Sequence, residues 1–241
     1  MKIGIMQPYF FPYIGYWQLM NRVDRYVIYD DVNYINRGWI NRNRILFSGE
    51  IKYFNLPVLG ASQNKLINQI AVNNDEKLLH RNMSILKQAY QKAPYYTKVQ
   101  PMIGQILFSG RQNVAAFNAE SFFYINQYLG IETELIFSSS LKKDNTLKGQ
   151  DKILAICREL GATEYCNAIG GRDLYSYEKF KEQGIQLTFL KPNTIVYRQF
   201  ENEFQPNLSI IDVMMFNCEE TIQKYLQQYT LIEEDDQIGE R

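Results

Sequence analysis

Charged and amide side chains are concentrated between residues 30 and 44. Two acids, Asp30 and Asp31, end an apolar stretch, and arginines follow at positions 37, 42 and 44. Paired guanidinium groups grip a diphosphate or a carboxylate with parallel hydrogen bonds. The pattern predicts a phosphate-binding site that comprises Tyr34, Arg37, Trp39, Asn41, Arg42, Asn43 and Arg44, with Lys52 from the next strand.

The spacing of this segment gives its side chains separate roles. If residues 39–44 are extended, alternation places Arg42 and Arg44 on one face and Trp39, Asn41 and Asn43 on the other. The two arginines would then contact the phosphates together. An aromatic ring, from position 34 or 39, would stack on the base or the sugar.

The two adjacent acids fit more than one role. Asp30 or Asp31 is a candidate general base. Alternatively, both acids neutralise the arginines in a structural ion-pair network. Magnesium is expected only together with a nucleotide, and adjacent carboxylates on a strand point to opposite faces, so only one of them would enter a given site.

A second candidate segment, QPYFFPYIGYW, spans residues 7–17. Its prolines and glycine bracket aromatic rings at the carboxyl end of a predicted strand, the edge at which open α/β sheets bind ligands. A rigid loop there would present rings to a base or a sugar. The alternative is an aromatic-rich turn of the core. We expect a concave pocket lined by Gln7, Tyr9, Tyr13 and Tyr16, with Gly15 as a further ligand contact and Tyr16 as a candidate catalytic residue.

Weaker signals lie further along the chain. Asn167, Gly170 and Gly171 follow a predicted strand, and glycines let a backbone approach a ligand closely, but they lack the spacing of a dinucleotide-binding motif. The serines at 138–140 either bind a phosphate or turn the chain. Asp212 lies in an apolar helix, where it is expected to cap the helix or to pair with an arginine.

The chain has one histidine and three cysteines. A single imidazole and cysteines without CxxC spacing argue against a zinc site, and neither zinc nor haem is expected. His80 lies in a helical pattern and is predicted to be a surface or helix-packing residue. Any activity should therefore need no imidazole.

Periodicity predicts the elements that position these side chains. A strand at 2–6, a helix at 12–24 and a strand at 26–32 form a βαβ unit, followed by a hairpin signal within 33–58. Helices dominate residues 76–129. A second series of strands and helices follows at 134–140, 149–161, 164–171, 177–184 and 185–192, and then a helical tail at 207–229.

These elements predict an α/β fold. It is a Rossmann-like, doubly wound and mostly parallel sheet, with a β-hairpin after the second strand and a helical insertion at about 76–129. We expect a single domain over residues 1–241 that ends in an acidic tail at about 230–241.

Charge and hydropathy exclude several classes of protein. Lys plus Arg and Asp plus Glu each number 26, so no overall field favours nucleic acid. No apolar run is long enough for a transmembrane segment, and the N-terminus lacks the cleavage site of a signal peptide. We expect a cytoplasmic protein, and the sequence makes no prediction of its oligomeric state.

Five segments resemble the WbqC-like protein family: MQPYFFPYIGYWQLM, YDDVNYINRGWINRNRI, SSSL, YCNAIGGRDLY and QPNLSIIDVMMFN. The resemblance runs from about residue 3 to about residue 220. It implies a role in the biosynthesis of bacterial surface polysaccharides such as O-antigen. The leading hypothesis is a transferase that acts on a nucleotide-activated or lipid-linked amino sugar, with acyl or aminoacyl transfer as its reaction.

Two other functions fit the same residues. Tyr13-Ile14-Gly15-Tyr16 resembles the His-x-Gly-His motif of HIGH-type nucleotidylyltransferases, which implies nucleotidylyl transfer or an adenylate-forming ligase. A phenol donates a hydrogen bond without positive charge, so the tyrosines lack the charge with which imidazoles stabilise the transferring phosphate. The third hypothesis is a non-catalytic binding or scaffold protein of glycan assembly. Both enzymatic hypotheses expect a nucleotide-sugar or a similar phosphorylated small molecule as ligand.

Overall fold

The computed structural model describes residues 1–201 and 203–234. The strands are β1 (Lys2–Met6), β2 (Arg25–Ile28), β3 (Arg42–Phe47), β4 (Glu50–Asn55), β5 (Val58–Leu59), β6 (Ala71–Val72), β7 (Glu134–Phe137), β8 (Glu164–Ala168), β9 (Gln186–Pro192) and β10 (Tyr229–Ile232). The helices are α1 (Ile14–Arg22), α2 (Glu76–Tyr90), α3 (Tyr96–Leu107), α4 (Val114–Leu129), α5 (Gly149–Glu159), α6 (Tyr177–Lys181), α7 (Ile210–Phe216) and α8 (Glu219–Tyr225). Short 3-10 helices span Ile67–Gln69, Ser138–Ser140 and Ile169–Leu174.

Six strands form the central sheet in the order β10-β9-β8-β1-β2-β7. Neighbouring strands are parallel except for β9 and β10, which are antiparallel. The chain passes from β1 outward to β2 and β7, and then returns to β8 on the other side of β1. The order of strands therefore reverses between β1 and β8, and the loops after these strands leave the sheet in opposite directions. The prediction of an α/β fold with a mostly parallel sheet is confirmed.

Helices cover both faces of this sheet. Ile3 and Ile5 of β1 pack on one face with side chains of α5 and α6. Tyr26 and Ile28 of β2 pack on the other face with α1 and α4. Strands buried on both faces are continuous apolar runs, which made them recognisable in the sequence. No helix within residues 1–201 or 203–234 is both long and apolar enough to cross a membrane.

The predicted hairpin is present as β3 and β4, which pair antiparallel with Arg42 opposite Asn55. Ser48 and Gly49 form its turn with φ values of 53° and 83°. Positive φ at both turn residues matches the right-handed twist of the two strands. The hairpin forms a separate two-stranded sheet beside the central one, so β3 can deliver side chains to the edge of the central sheet.

The helical segment predicted at 76–129 consists of α2, α3 and α4. The carboxylate of Asp75 accepts two backbone hydrogen bonds at the start of α2, and Asn113 caps the start of α4. Gly130 ends α4 in the left-handed conformation, with φ of 68°. These caps fix helix ends that propensity alone leaves open.

Several boundaries differ from the prediction. The second strand was expected to reach residue 32, but β2 ends at Ile28, because Asp30 turns to bind Ser139. The strand expected at 134–140 ends at Phe137, and its serines form a 3-10 helix.

The C-terminal part also needs correction. The tail expected from about residue 230 begins instead with β10, which pairs with β9. The short pair β5 and β6 was not predicted, since two-residue strands leave no periodic pattern. Residues 235–241 of the expected acidic tail lie outside the described part of the chain.

Candidate functional site

A cleft of about 690 Å³ lies at the carboxyl ends of β1 and β8, where the order of the sheet strands reverses. Its walls come from the loop after β1, from the turn after β8, and from the β2–β3 connection with the start of β3. Open α/β sheets bind ligands at this position, and the volume suits a small molecule. The predicted site residues that line the cleft are Gln7, Tyr9, Tyr13, Trp39, Asn43, Arg44, Asn167, Gly170 and Gly171.

The loop after β1, residues 7–13, is held in one conformation by buried hydrogen bonds. Phe11 has a φ of 41°, a strained value for a residue other than glycine. The Asn43 amide donates to the carbonyls of Phe10 and Phe11 at 3.0 and 2.8 Å. Ser209 donates to the same Phe11 carbonyl at 2.7 Å. Asn43 therefore positions the loop, and the wall it forms is preorganised for a ligand.

Three polar side chains of this loop, Gln7, Tyr9 and Tyr13, line the cleft without a hydrogen bond to any described residue. Burial raises the pKa of Tyr9, and the neighbouring Tyr13 phenol raises it further. Burial also raises the pKa of Tyr13. Both phenols therefore remain protonated at neutral pH and can donate hydrogen bonds to uncharged groups such as sugar hydroxyls.

Arg44 brings a positive charge to the cleft. Its Nη2 donates to the Asn207 carbonyl at 3.1 Å, and its guanidinium carbon lies 5.5 Å from the centre of the Trp39 ring. Its Nε is buried without a hydrogen-bond partner, and none of the ion pairs within the described residues includes Arg44. A guanidinium that lines the cleft without a carboxylate partner is suited to an anionic ligand.

Arg42 does not line the cleft with Arg44. Its guanidinium lies 4.5 Å from the centre of the Tyr53 ring and donates to two backbone carbonyls of the preceding turn. The sequence predicted both arginines on one face of an extended segment 39–44. The chain is extended only from Arg42 onward, and the turn before it places Trp39 beside Arg44.

Four other predicted residues also lie outside the lining of the cleft. Lys52 Nζ lies 3.9 Å from the centre of the Phe47 ring, and Arg37 is exposed with φ of 58°. The Tyr34 hydroxyl donates to the Asn41 side chain at 2.7 Å. Tyr34 is also 4% exposed, so its ring offers no face on which a base could stack.

Asp31 pairs with two buried lysines rather than with the arginines. Lys143 Nζ and Lys152 Nζ lie 2.8 and 3.1 Å from its carboxylate, and their side chains are 1% and 6% exposed. Burial alone would raise the pKa of Asp31, but the hydrogen bond from Lys143 and the charge of Lys152 hold it below its usual range. The alternative that the acids neutralise the arginines is wrong. Lys152 also lies 5.3 Å from the centre of the ring of Tyr29, which lines the cleft.

Asp30 joins the ends of β2 and β7. It is 2% exposed. It accepts the Ser139 N–H at 2.9 Å, the Ser139 hydroxyl at 2.6 Å and the Asn68 amide at 3.1 Å. The 138–140 segment thus forms a turn that holds a carboxylate of the protein itself. Neither Asp30 nor Asp31 lines the cleft, although both were candidate bases.

Tyr16 and Gly15 support the cleft from behind. Tyr16 is 3% exposed and donates to the Gln7 carbonyl at 2.8 Å, so it does not line the expected pocket with the other three residues. A Cβ added at Gly15 would lie 2.5 Å from the Tyr13 ring and 2.6 Å from Pro192. The glycine therefore allows α1 to pack closely, and the space in front of it is filled by protein.

The turn after β8 forms the opposite wall. The Asn167 amide donates to the Tyr165 hydroxyl at 2.8 Å and accepts the Ala168 N–H at 2.7 Å, so it holds the turn. A Cβ added at Gly170 would meet no atom within 4 Å, whereas one at Gly171 would lie 3.3 Å from Asn167. Gly170 borders the open space of the cleft.

Among the cleft-lining residues that sequence reasoning missed are Tyr29, Ile35, Leu174 and Asn207. The first two lie within or next to the arginine-rich segment, but an apolar residue there was not taken as functional. Leu174 was detectable only as an apolar residue in a polar turn. Asn207 reaches the cleft through tertiary packing.

The buried acid of α7 has no arginine partner in the described residues. Asp212 accepts hydrogen bonds from the Tyr90 and Tyr197 hydroxyls at 2.8 and 2.7 Å and from Gln199 at 2.7 Å. Burial raises the pKa of Asp212 even though these hydrogen bonds lower it in part. The expected helix cap or arginine pair is wrong, and the residue belongs to a polar network of the core.

We predict that His80→Ala leaves ligand binding and any turnover within a few-fold of wild type. His80 is exposed on α2, its ring lies 4.9 Å from the Phe108 ring, and it does not line the cleft. Exposed substitutions of this kind change the free energy of unfolding by less than roughly 0.5 kcal/mol. Titration calorimetry and turnover assays check the result, and loss of turnover in a folded variant would contradict it and make His80 a candidate site residue.

Comparisons with known proteins place the chain in a family. The sequence profile described as the WbqC-like protein family matches residues 7–224. An uncharacterised protein of Mycobacterium tuberculosis is 28% identical over 229 residues, which cover 93% of this chain and 97% of that protein. No solved structure matches the chain significantly. The matched range includes the loop after β1, Arg44 and the turn after β8.

Proposed function

We propose, from the premise that this chain belongs to the WbqC-like protein family, that the protein is a cytoplasmic transferase of bacterial surface-polysaccharide biosynthesis. Its substrate is a sugar or amino sugar carried on a diphosphate, and acyl or aminoacyl transfer to that sugar is the reaction we favour. The observation that carries the proposal is the cleft between β1 and β8, lined by an Arg44 guanidinium that forms no ion pair within the described residues.

The distribution of polar groups supports a sugar diphosphate as ligand. Arg44 supplies a fork of donors for phosphate oxygens. Tyr9, Tyr13 and Gln7 offer neutral hydrogen-bonding groups to sugar hydroxyls, and the exposed Trp39 provides a ring. Protonated phenols recognise a neutral sugar without the desolvation penalty that a charged side chain brings.

The fold supports the same placement. We infer that the sheet is Rossmann-like and doubly wound, because the order of its parallel strands reverses at β1 and β8. Ligands of such sheets bind where the loops diverge. Tyr16, Asp30 and Asp31 act in this account as positioning residues, since each is occupied by partners within the protein.

The nucleotidylyltransferase alternative is less well supported. In HIGH-type enzymes the glycine lets a nucleotide approach the backbone, whereas the space in front of Gly15 is filled by Tyr13 and Pro192. Tyr16 is buried and bound to a backbone carbonyl. In this chain the motif therefore forms the start of α1.

A thermal-shift panel tests the proposed function. The panel contains inorganic diphosphate, UDP-sugars, TDP-sugars and ATP at several concentrations. We expect diphosphate-bearing sugars to raise the melting temperature in a saturable manner. Selective stabilisation by ATP would favour the ligase instead, and no stabilisation by any diphosphate compound would contradict the proposal.

We predict that side chains added at Gly170 block the cleft without harming the fold. Gly170 lies in open space and its φ is outside the left-handed region, so Gly170→Ala and Gly170→Leu should keep the free energy of unfolding within roughly 0.5 kcal/mol of wild type. Affinity for the best ligand of the panel should fall from Ala to Leu as the added volume grows. Equal affinity of wild type and Gly170→Leu would place the ligand elsewhere.

A further inference from the structure

Three apolar side chains at the cleft are exposed to solvent. Ile35, Trp39 and Leu174 are 47%, 37% and 70% exposed, and all three line the cleft. They come from two separate segments, the β2–β3 connection and the turn after β8. Scattered exposed apolar residues are common, but three that converge on one cleft mark a binding surface. We call these three residues the apolar rim.

The apolar rim adjoins the cation of the cleft. The Arg44 guanidinium stacks 5.5 Å from the centre of the Trp39 ring, so one face of that ring is already covered. The other two members of the rim are aliphatic. The part of a ligand that contacts Ile35 and Leu174 therefore meets hydrocarbon rather than hydrogen-bonding groups.

We propose that the sugar diphosphate of this cleft is carried on an isoprenyl lipid, whose diphosphate binds Arg44 and whose first isoprene units lie on the apolar rim. This inference rests on the proposed function and selects a lipid rather than a nucleotide as the carrier of the sugar. A nucleoside carrier would place the ribose hydroxyls and the polar edge of the base against aliphatic side chains, which cannot satisfy them. An isoprenyl chain has no polar groups and buries the exposed surface of Ile35 and Leu174.

Titration calorimetry with geranyl diphosphate, inorganic diphosphate and UDP tests the inference on the full chain. Geranyl diphosphate carries the isoprene units and stays in solution. We expect it to bind roughly ten- to a hundredfold more tightly than inorganic diphosphate, because the rim removes its hydrocarbon from water. UDP should also bind more tightly than inorganic diphosphate, but by a smaller factor than geranyl diphosphate.

Variants of the rim separate this effect from nonspecific adsorption of a lipid. Leu174→Asn and Ile35→Asn should each weaken the binding of geranyl diphosphate about threefold to tenfold. Neither substitution should change the affinity for inorganic diphosphate. The matched control is Leu59→Asn, because Leu59 is 53% exposed and does not line the cleft. Leu59→Asn should bind geranyl diphosphate like wild type.

The outcomes are distinguishable from failure of the proposed function. Geranyl diphosphate that binds no more tightly than inorganic diphosphate, or UDP that binds more tightly than geranyl diphosphate, would overturn the inference and leave a nucleotide carrier. Unchanged geranyl binding in Leu174→Asn and Ile35→Asn, together with a loss of self-association in the same variants, would make the rim an oligomer contact and also overturn it. If no diphosphate compound binds at all, the proposed function fails, and this inference with it.

Discussion

Replacing Asp31 by alanine is expected to destabilise the protein by about 3–5 kcal/mol, because it leaves buried positive charges without their counter-ion. Lys143 and Lys152 both contact this carboxylate, and their side chains are almost completely buried. Hydrogen bonds to backbone carbonyls hold the two ammonium groups in place but cannot neutralise them. Urea denaturation at pH 7, with the free energy of unfolding extrapolated to water, measures the loss.

An exposed ion pair provides the control. Arg25 and Glu134 lie 2.7 Å apart, with side chains 35% and 57% exposed. Glu134→Ala should change the free energy of unfolding by about 1 kcal/mol or less, because solvent screens exposed pairs. Similar effects of Asp31→Ala and Glu134→Ala would contradict the account of the buried cluster.

The same cluster makes stability depend on pH. Although burial raises the pKa of Asp31, its lysine partners hold it below the ordinary value of 3.8. The stabilisation is therefore complete above that value and is lost as the pH falls through the lowered pKa of the folded state. The difference in unfolding free energy between wild type and Asp31→Asn should be largest near neutral pH and should shrink below pH 3.8.

Arg44→Ala should weaken binding of a diphosphate ligand by roughly ten- to a hundredfold, the effect of losing one charge-assisted bidentate contact of about 1.5–3 kcal/mol. Arg44→Lys should recover only part of the affinity, since an ammonium cannot present the planar fork. Calorimetric titration and thermal denaturation of the same variants separate a binding role from a structural one. The melting temperature of the free protein should change little, because Arg44 forms no ion pair within the described residues.

Arg42→Ala is the matched control for this prediction. Both arginines belong to β3 and lie near an aromatic ring, but only Arg44 lines the cleft. Arg42→Ala should therefore leave ligand affinity within about threefold of wild type. Unchanged affinity in Arg44→Ala, or equal losses in both variants, would contradict the role given to Arg44.

Much of the fold was accessible from the sequence for physical reasons. Strands buried on both faces are apolar runs, and helices with one buried face repeat every three to four residues. The breaks between α2, α3 and α4 coincide with Pro94 and Gly110. The antiparallel strand β10 was missed because Tyr229–Ile232 has no pattern distinct from a loop, and its identity depends on pairing with β9.

The candidate site was predictable only where it is local in sequence. The loop after β1 and the position of Arg44 follow from segments that are continuous in the chain. The partners of Asp31 do not, because Lys143 and Lys152 reach it only when β7 lies beside β2. The position of Trp39 was also wrong, since a turn precedes β3 where an extended segment was assumed, and this turn places Trp39 beside Arg44.

The most direct test of the central claim is a crystal structure of the protein with inorganic diphosphate, or with the ligand that stabilises it most in the thermal-shift panel. We predict density for the phosphates within hydrogen-bonding distance of the Arg44 guanidinium, in the cleft between the loop after β1 and Gly170. Phosphate density at the Lys143 and Lys152 cluster alone, or a cleft that stays empty at saturating ligand, would contradict the claim.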